Sequence, residues 1–267
     1  MQPRNGGLEA KNRQLLDELH RHTSGPFTVA EAHEILALSP SRTRRFLAQL
    51  ASNGWLARIR RGLYTTVPLG ASKPADWRED PWLIAAKTFE PCYIGGWSAL
   101  EHWGLTEQVF RDIVVVTARK VPSRDRLIQA VRYRLRHRPE EQHFGTTPVW
   151  RGQQRIDVSD PERTLVDVLD DPELGAGVRH IADCLAAYFE GETNTGRIVD
   201  YTARLGNRTV FKRLGYLLET LRIAQSQLIE TCRDRISTGL SPLDPTVERK
   251  GKIRKRWNLR VNVPIGT

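Results

Sequence analysis

Hydrophobic residues near the start of the chain recur at intervals of three and four positions, the spacing of one helix face. This pattern predicts a first helix over residues 8–22, whose apolar face is formed by Leu8, Leu15, Leu16 and Leu19. Further along, Thr28 and Glu31 have the spacing of a capping box, in which each side chain bonds the other residue's backbone N–H. A second helix is therefore expected to begin at Val29.

A third helix is predicted after a short break, because Ser39 can cap it and Pro40 suits its first helical position. Its apolar face consists of Thr43, Phe46, Leu47 and Leu50. Asn53 and Gly54 then end the helix, since both tolerate the backbone conformation of a helix C-terminus. The remaining surface of this helix is polar and basic.

The spacing of apolar residues changes after residue 54. The stretch WLARIRRGLYTTV is typical of two short strands joined at Arg61 and Gly62, which together form a hairpin. Three helices followed by a hairpin are the elements of a winged helix-turn-helix. The sequence therefore predicts this domain over residues 1–68.

Basic side chains concentrate on the third helix and the hairpin. In a winged helix-turn-helix, N-terminal side chains of the third helix reach base edges in the major groove of DNA. The residues expected there are Ser41, Arg42, Thr43, Arg44 and Arg45. The hairpin residues expected to contact phosphate or the minor groove are Arg58, Arg60 and Arg61. We therefore predict double-stranded DNA as a partner, with a solvated basic face on a protein-binding domain as the alternative.

The remainder of the chain reads as a second domain. Residues 69–80 are polar and rich in turn formers, which predicts a linker before a domain over residues 81–240. A helix is predicted at 82–89, and residues 92–105 are predicted to form a strand, a Gly-Gly turn and a short helix capped by Ser98. Strands are predicted at 111–118, 126–136 and 146–158. A further helix is predicted to start at 159–162, and helices are predicted over most of 176–236. The fold class is α+β, with a mixed α/β C-terminal domain that ends in a helical bundle.

A second group of cations lies in a basic C-terminal segment, residues 241–267. The members of this group are Arg249, Lys250, Lys252, Arg254, Lys255 and Arg256. Three interpretations stay open: a solvated tail or strand end, a second contact with DNA, and a surface for a protein partner.

Net charge agrees with a polyanionic partner, because 41 Lys and Arg residues against 31 Asp and Glu residues give +10.

The sequence has no apolar run long enough for a membrane span and no secretory leader at its start, so we expect a cytoplasmic protein without a membrane partner. Cys92, Cys184 and Cys232 lack the spacing of a zinc site or a disulfide framework, and we expect reduced thiols.

Catalytic motifs are missing from the sequence, including Walker, HExxH and GxGxxG patterns, and Leu100 breaks the GxSxG pattern around Ser98. We therefore expect no catalytic residue, no metal and no cofactor. Two alternatives stay open. A nucleic-acid-processing enzyme would require clustering of Asp157, Asp160, Asp167 and His102, and a ligand-sensing regulator would require a deep apolar pocket within residues 81–236.

Three blocks of the second domain resemble the AbiEi family of antitoxins, the transcription-regulating halves of bacterial type IV toxin–antitoxin pairs. The blocks are YIGGWSALEHWGLTEQ at 93–108, DIVVVT at 112–117 and VSDPERTLVDVL at 158–169. The resemblance implies an N-terminal winged helix and a C-terminal antitoxin domain. It also implies repression of the protein's own promoter through inverted repeats, and action against a cognate nucleotidyltransferase toxin without the need for a stable complex.

Overall fold

The computed structural model describes residues 9–68, 70–71 and 76–266, and has a mixed α/β fold. The chain divides into two compact units. The first contains the described residues up to Glu90 together with Leu127–Arg132 and Val149–Ile156. The second contains Pro91–Arg126, Tyr133–Pro148 and the described residues from Asp157 onward.

The described residues form ten α-helices and twelve strands. The helices are α1 (Ala10–His22), α2 (Val29–Leu36), α3 (Pro40–Ser52), α4 (Pro81–Phe89), α5 (Gly96–His102), α6 (Pro161–Asp170), α7 (Val178–Glu190), α8 (Thr195–Leu205), α9 (Thr209–Thr220) and α10 (Ser226–Asp234). The strands are β1 (Phe27–Thr28), β2 (Leu56–Arg60), β3 (Leu63–Thr66), β4 (Cys92–Ile94), β5 (Ile113–Thr117), β6 (Asp125–Ile128), β7 (Val131–His137), β8 (Thr146–Arg151), β9 (Gln154–Ser159), β10 (Ser241–Pro242), β11 (Lys252–Arg254) and β12 (Leu259–Val261).

The first unit contains the three helices and the hairpin that the sequence predicts, in the predicted order. Their apolar faces meet in a core that includes Leu19, Leu47 and Leu50, all fully buried. Strand β1 adds to the hairpin, which gives an antiparallel sheet of order β1-β3-β2. The predicted start of the first helix at Leu8 lies outside the described residues.

The predicted linker over 69–80 lies partly outside the described residues, at 69 and 72–75. The first compact unit extends beyond it and includes α4. Helix α4 is held there because Lys87 donates a hydrogen bond to Glu31 of α2, and because the Arg151 guanidinium lies 4.4 Å from the ring centre of Trp82. The predicted domain bounds at 1–68 and 81–240 therefore do not coincide with the two units and stay predictions.

A six-stranded sheet of order β6-β7-β5-β4-β9-β8 is the largest sheet of the described chain. The sequence predicts single strands at 126–136 and 146–158, but the structure has a hairpin in each range. Gln129 and Ala130 both adopt positive φ and turn the chain between β6 and β7, whereas Gly152 has a φ of 60° between β8 and β9. Apolar spacing alone did not locate these turns, because neither carries the usual Asn-Gly or Asp-Gly pair.

Ser98 does not cap α5, which corrects the prediction from the sequence. The helix begins at Gly96, and the Ser98 hydroxyl accepts a hydrogen bond from the Val114 backbone N–H at 3.0 Å. Gly96 has a φ of +53°, and a Cβ atom there would lie 2.5 Å from the carbonyl oxygen of Leu174. The Gly-Gly turn therefore starts the helix at Gly96, three residues before the start that a Ser98 cap would give.

The helices α6–α10 surround one hydrophobic cluster that also takes in the C-terminal segment. Residues 241–266 contain a small sheet of order β10-β12-β11 rather than a solvated tail. Trp257 is 1% exposed, and its indole N–H donates to Glu219 at 2.6 Å. The ring fits because residue 215 is glycine, where a Cβ atom would lie 2.1 Å from it.

A buried ionic network connects α6 to the sheet. The Arg163 side chain is fully buried, and its Nε donates to Asp167 at 3.0 Å. The Tyr93 hydroxyl donates to the same carboxylate at 2.8 Å and accepts from Arg163 at 3.0 Å. Burial acts to lower the pKa of Arg163, but the charge of Asp167, the contact with Tyr93 and the hydrogen bond to Asp167 together outweigh it and hold that pKa above its ordinary value.

Substitution Asp167→Ala should destabilise the protein strongly, because it leaves the buried Arg163 guanidinium without its counter-charge. The expected loss is about 3–5 kcal/mol of unfolding free energy, measured from urea denaturation of the full chain. Asp200→Ala is the matched control, because the Asp200 carboxylate is 62% exposed and lies 3.9 Å from Arg204. The control should lose less than about 0.5 kcal/mol, and equal losses in the two variants would contradict the importance of the network.

Candidate nucleic-acid interface

Burial of one face of α3 determines which of its side chains are available for binding. Phe46, Leu47 and Leu50 are buried at three- and four-residue spacing, as the sequence predicts. Pro40 occupies the first turn, but the Ser39 hydroxyl caps no backbone N–H of the helix and instead bonds the Ser41 hydroxyl at 3.4 Å. The helix is therefore held by its core contacts rather than by the predicted serine cap.

The connection between α2 and α3 is short and fixed by local bonds. The capping box is present, because Thr28 N donates to Glu31 at 2.7 Å and Glu31 N donates to the Thr28 hydroxyl at 3.3 Å. At the other end of α2, Ala37 adopts a left-handed backbone and the His33 ring bonds the carbonyl oxygen of Leu38. The capping box thus fixes the start of α2, whereas Ala37 and the His33–Leu38 bond fix the turn that leads into α3.

Four of the five side chains predicted at the start of α3 are exposed, namely Ser41, Arg42, Arg44 and Arg45. Thr43 requires a correction, because it is fully buried and its hydroxyl donates to the Ser39 carbonyl at 3.1 Å. The apolar periodicity already included Thr43 in the buried face. This residue therefore supports the helix and does not belong to the exposed surface.

The hairpin exposes its three arginines. Arg58 and Arg60 lie on β2, where an irregularity in the pairing with β3 falls between them, and Arg61 lies in the turn. Gly62 closes this turn with a φ of +79°, a conformation that favours glycine. The predicted hairpin positions are thus all on the surface of the first unit.

The charge on these elements is not compensated locally. The sequence has no Asp or Glu between Glu34 and Asp76, while the same stretch contains the six arginines of α3 and the hairpin. Among the described residues none of these six forms an ion pair, whereas Asp17 pairs with Arg21 within α1. A like-charged surface of this kind produces a positive potential that attracts polyanions. We call Ser41, Arg42, Arg44, Arg45, Arg58, Arg60 and Arg61 the α3–hairpin surface.

Ala48 lies away from the apolar face of α3, as the helical spacing predicts, but the sequence reasoning left out Gln49, which is also exposed. Gln49 follows Arg42 by seven residues and Arg45 by four, so all three side chains lie along one stripe of the helix. A glutamine amide can pair with both hydrogen-bonding groups of adenine in the major groove. The helical spacing that identified the arginines was sufficient to find Gln49, but the search for positive charge left it out.

The second cationic group is also exposed. Its six members, Arg249, Lys250, Lys252, Arg254, Lys255 and Arg256, all lie on the surface of the small C-terminal sheet or next to it. Lys250 pairs with Glu248 at 2.7 Å, and Arg256 pairs with Glu219 at 2.7 Å. In the part of the chain that the structure describes, the other four form no ion pair.

The acidic residues considered for catalysis have structural partners. Asp160 accepts from the Arg163 backbone N–H at 2.7 Å and from the Tyr201 hydroxyl at 2.8 Å, and thereby caps α6. Asp167 belongs to the buried network with Arg163. His102 is exposed against Trp103, and Asp157 lies on β9. Among the described residues no group of three or more His, Cys, Asp or Glu side chains could hold a metal ion.

The buried thiols are not activated. Burial raises the pKa of Cys184 to about 12, and burial does the same for Cys232. Both thiols therefore stay protonated at neutral pH and pack as small apolar groups. Cys92, Cys184 and Cys232 are all free cysteines.

A cavity of about 510 Å³ in the second unit is lined mainly by charged side chains. The lining residues are Arg124, Arg136, Asp170, Asp171, Glu173, Pro245 and Thr246. Its arginines are already paired, Arg136 with Asp171 and Arg124 with Glu173, each at 3.2 Å. This cavity is not the deep apolar pocket that a ligand-sensing regulator requires.

No helix in the described ranges combines the length and the apolar character that crossing a membrane would need.

Residues 14–67 match a protein family described as "Transcriptional regulator, AbiEi antitoxin", which confirms the family resemblance for this segment. No curated protein matches the chain. A solved structure, the RV2827C protein from Mycobacterium tuberculosis, is similar with a TM-score of 0.63 and 15% identity. The similarity covers 95% of this chain and 92% of that one, and at this identity it establishes a shared fold only.

Substitution Glu31→Gln should weaken the support of α2, because Glu31 bonds both Thr28 and Lys87. Burial acts to raise the pKa of Glu31, but the hydrogen bonds from Lys87 and Thr28 outweigh it and lower that pKa. The lowered pKa means that the carboxylate stabilises the fold above its unfolded pKa, and this contribution disappears as the pH falls through the folded pKa. Since Glu31 is 40% exposed, solvent screens the pair, and we expect a loss of about 1 kcal/mol at pH 7.

The stability difference between wild type and Glu31→Gln should therefore shrink in acid, below the ordinary glutamate pKa of about 4.3. Urea denaturation at a series of pH values measures it. Glu34→Gln is the control, since Glu34 is exposed and forms no hydrogen bond among the described residues. A Glu31→Gln difference that stays constant with pH would show that the ionised carboxylate is not what supports α2.

Proposed function

We propose that this chain is a DNA-binding transcriptional autorepressor and antitoxin, in which α1–α3 and the β2–β3 hairpin act as a winged helix-turn-helix. One observation carries the proposal: the α3–hairpin surface is exposed, contains six arginines and has no carboxylate within the same sequence stretch. The match of residues 14–67 to AbiEi transcriptional regulators supports the same interpretation.

Helix α3 is proposed to enter the major groove, which has the width to admit one helix. Arg42, Arg44 and Arg45 then supply donors that can bond guanine O6 and N7 together, or clamp phosphates. Ser41 lies in the first turn, where the free backbone N–H groups of a helix N-terminus also favour phosphate. Gln49, one or two turns further along, is suited to an adenine.

The hairpin is proposed to act as the wing. Arg58 and Arg60 extend from β2 and Arg61 from its turn, so all three can contact phosphates or enter the minor groove. Arginine is favoured in narrow A·T-rich minor grooves, because the negative potential is enhanced there. The proposed operator is an inverted repeat in the protein's own promoter, which two copies of the chain would bind symmetrically.

The second unit is proposed to carry the antitoxin activity, with α6–α10 as its helical bundle. The basis is the resemblance of the blocks at 93–108, 112–117 and 158–169 to AbiEi antitoxins, together with the regulator description of the matched segment. The proposed target is a cognate nucleotidyltransferase toxin. The effect on the toxin can be functional and does not require a stable complex.

Arg42→Ala and Arg44→Ala should each weaken binding to the protein's own promoter by about 1–3 kcal/mol if these side chains bond bases. Fluorescence anisotropy with a labelled promoter duplex measures the loss, at a fixed and stated salt concentration. Arg126→Ala is the matched control, because Arg126 is exposed, forms no ion pair among the described residues and lies outside the α3–hairpin surface. Gln49→Ala should relax the preference at a single base pair. Unchanged promoter affinity in the Arg42→Ala, Arg44→Ala double variant would refute the role of α3.

Antitoxin activity should be separable from DNA binding. Co-expression of the chain with a nucleotidyltransferase encoded next to its gene should restore bacterial growth that the toxin alone arrests. The Arg42→Ala, Arg44→Ala double variant should lose repression of a promoter reporter and still restore growth, because its second unit is unaltered. If the wild-type chain fails to restore growth at equal expression, the antitoxin part of the proposal is wrong.

A further inference from the structure

We propose that the small C-terminal sheet carries a second binding surface, which holds the phosphate backbone of double-stranded nucleic acid without reading its sequence. This β11 surface consists of Arg249, Lys250, Lys252, Arg254, Lys255 and Arg256. It is distinct from the α3–hairpin surface and does not depend on the proposed winged helix.

The β11 surface is built on a fixed frame. Trp257 and Leu259 are buried at its base, and Trp257 donates to Glu219. Asn262 donates from its side chain to the carbonyl oxygens of Asp244 and Glu248, at 2.7 and 3.1 Å. Because the frame is anchored, its cations are held close together, although like charges repel one another.

The charge of this surface is mostly uncompensated. From residue 245 to the end of the chain the sequence has seven Lys and Arg residues and a single acidic residue, Glu248. Asp244 is 3% exposed and accepts hydrogen bonds from Val178 N and Thr246, so its carboxylate is turned inward. Lys252, Arg254 and their neighbours thus have few intramolecular carboxylates to bind.

The spacing suits a phosphate backbone. Strand β11 is an edge strand, and all three of its side chains are exposed. Lys252 and Arg254 point to the same side of the strand and lie about 6.7 Å apart. Phosphates on one DNA strand follow one another at about 3.4 Å along the axis. Because the backbone also winds around the axis, neighbouring phosphates lie farther apart than this rise, so two cations at this separation can each contact a phosphate of one strand.

The chemistry of the β11 surface favours a duplex over single strands and over a protein. Binding to single strands relies on aromatic platforms, but Trp257 is the one aromatic residue between 245 and 266 and it is buried. Lysine is depleted in protein interfaces, whereas interfaces with DNA are strongly positive. Ile253, half exposed between Lys252 and Arg254, offers little apolar area for a protein partner.

The test compares two triple variants of the full chain that lose the same charge. Lys252→Gln, Arg254→Gln, Lys255→Gln removes cations of the β11 surface that form no ion pair among the described residues. Arg119→Gln, Lys120→Gln, Arg126→Gln removes three other exposed cations of the second unit. Because all six side chains are exposed, both variants should keep the wild-type circular dichroism and urea midpoint.

Binding to a labelled random-sequence duplex is measured by anisotropy between about 50 and about 200 mM salt. The β11 variant should reduce the slope of log K against log salt by about 2 to 3, and weaken binding on the order of tenfold. The control triple should stay within about twofold of wild type. Equal effects in the two triples, or no effect in either, would overturn the proposal.

Three further arms separate the alternatives. If single-stranded DNA of the same sequence binds as tightly as the duplex, the choice of a duplex is wrong. If poly-L-glutamate binding is lost in the β11 variant while duplex binding is unchanged, the surface serves an acidic protein instead. The Arg42→Ala, Arg44→Ala double variant is measured in parallel for preference of the promoter over random DNA. Loss of that preference with an intact salt slope supports the α3–hairpin surface and the β11 surface independently.

Discussion

The burial of one face of α3 is the constraint on which the exposed surface of the first unit depends. Phe46, Leu47 and Leu50 can enter the core only in one rotation of the helix, and that rotation turns Arg42, Arg44 and Arg45 outward. The short turn after Ala37, at the end of α2, then fixes where α3 begins. The apolar packing of α3 is therefore sufficient to expose its arginines, and no further interaction is needed to orient them.

Much of the first unit could be predicted from the sequence because its signals are local. Helix periodicity, the Thr28–Glu31 pair and the Arg61-Gly62 turn each act over a few residues, and all three are present in the structure. Thr43 shows the limit of reasoning by residue type. A hydroxyl next to arginines suggested a contact with DNA, but the helical spacing had already assigned it to the buried face.

The second unit was harder to predict because its turns and its C-terminal sheet depend on contacts between distant residues. Gln129 and Ala130 carry no turn signature although both adopt positive φ, and β7 pairs with β5, which lies more than ten residues earlier in the chain. The segment after residue 240 reads as a basic tail, because only the approach of Trp257 to Gly215 and Glu219 shows that it is folded. The spacing of apolar residues along the chain cannot predict that the Trp257 indole packs against Gly215, because the two residues are far apart in sequence.

The central claim is that the exposed arginines of α3 contact DNA. Titration of the isotope-labelled chain with its own promoter duplex, followed through the arginine Nε–Hε signals in NMR spectra, tests it most directly. We expect the signals of Arg42, Arg44 and Arg45 to shift in a saturable manner, together with those of Arg58, Arg60 and Arg61. Saturable binding that leaves all six signals unchanged would contradict it.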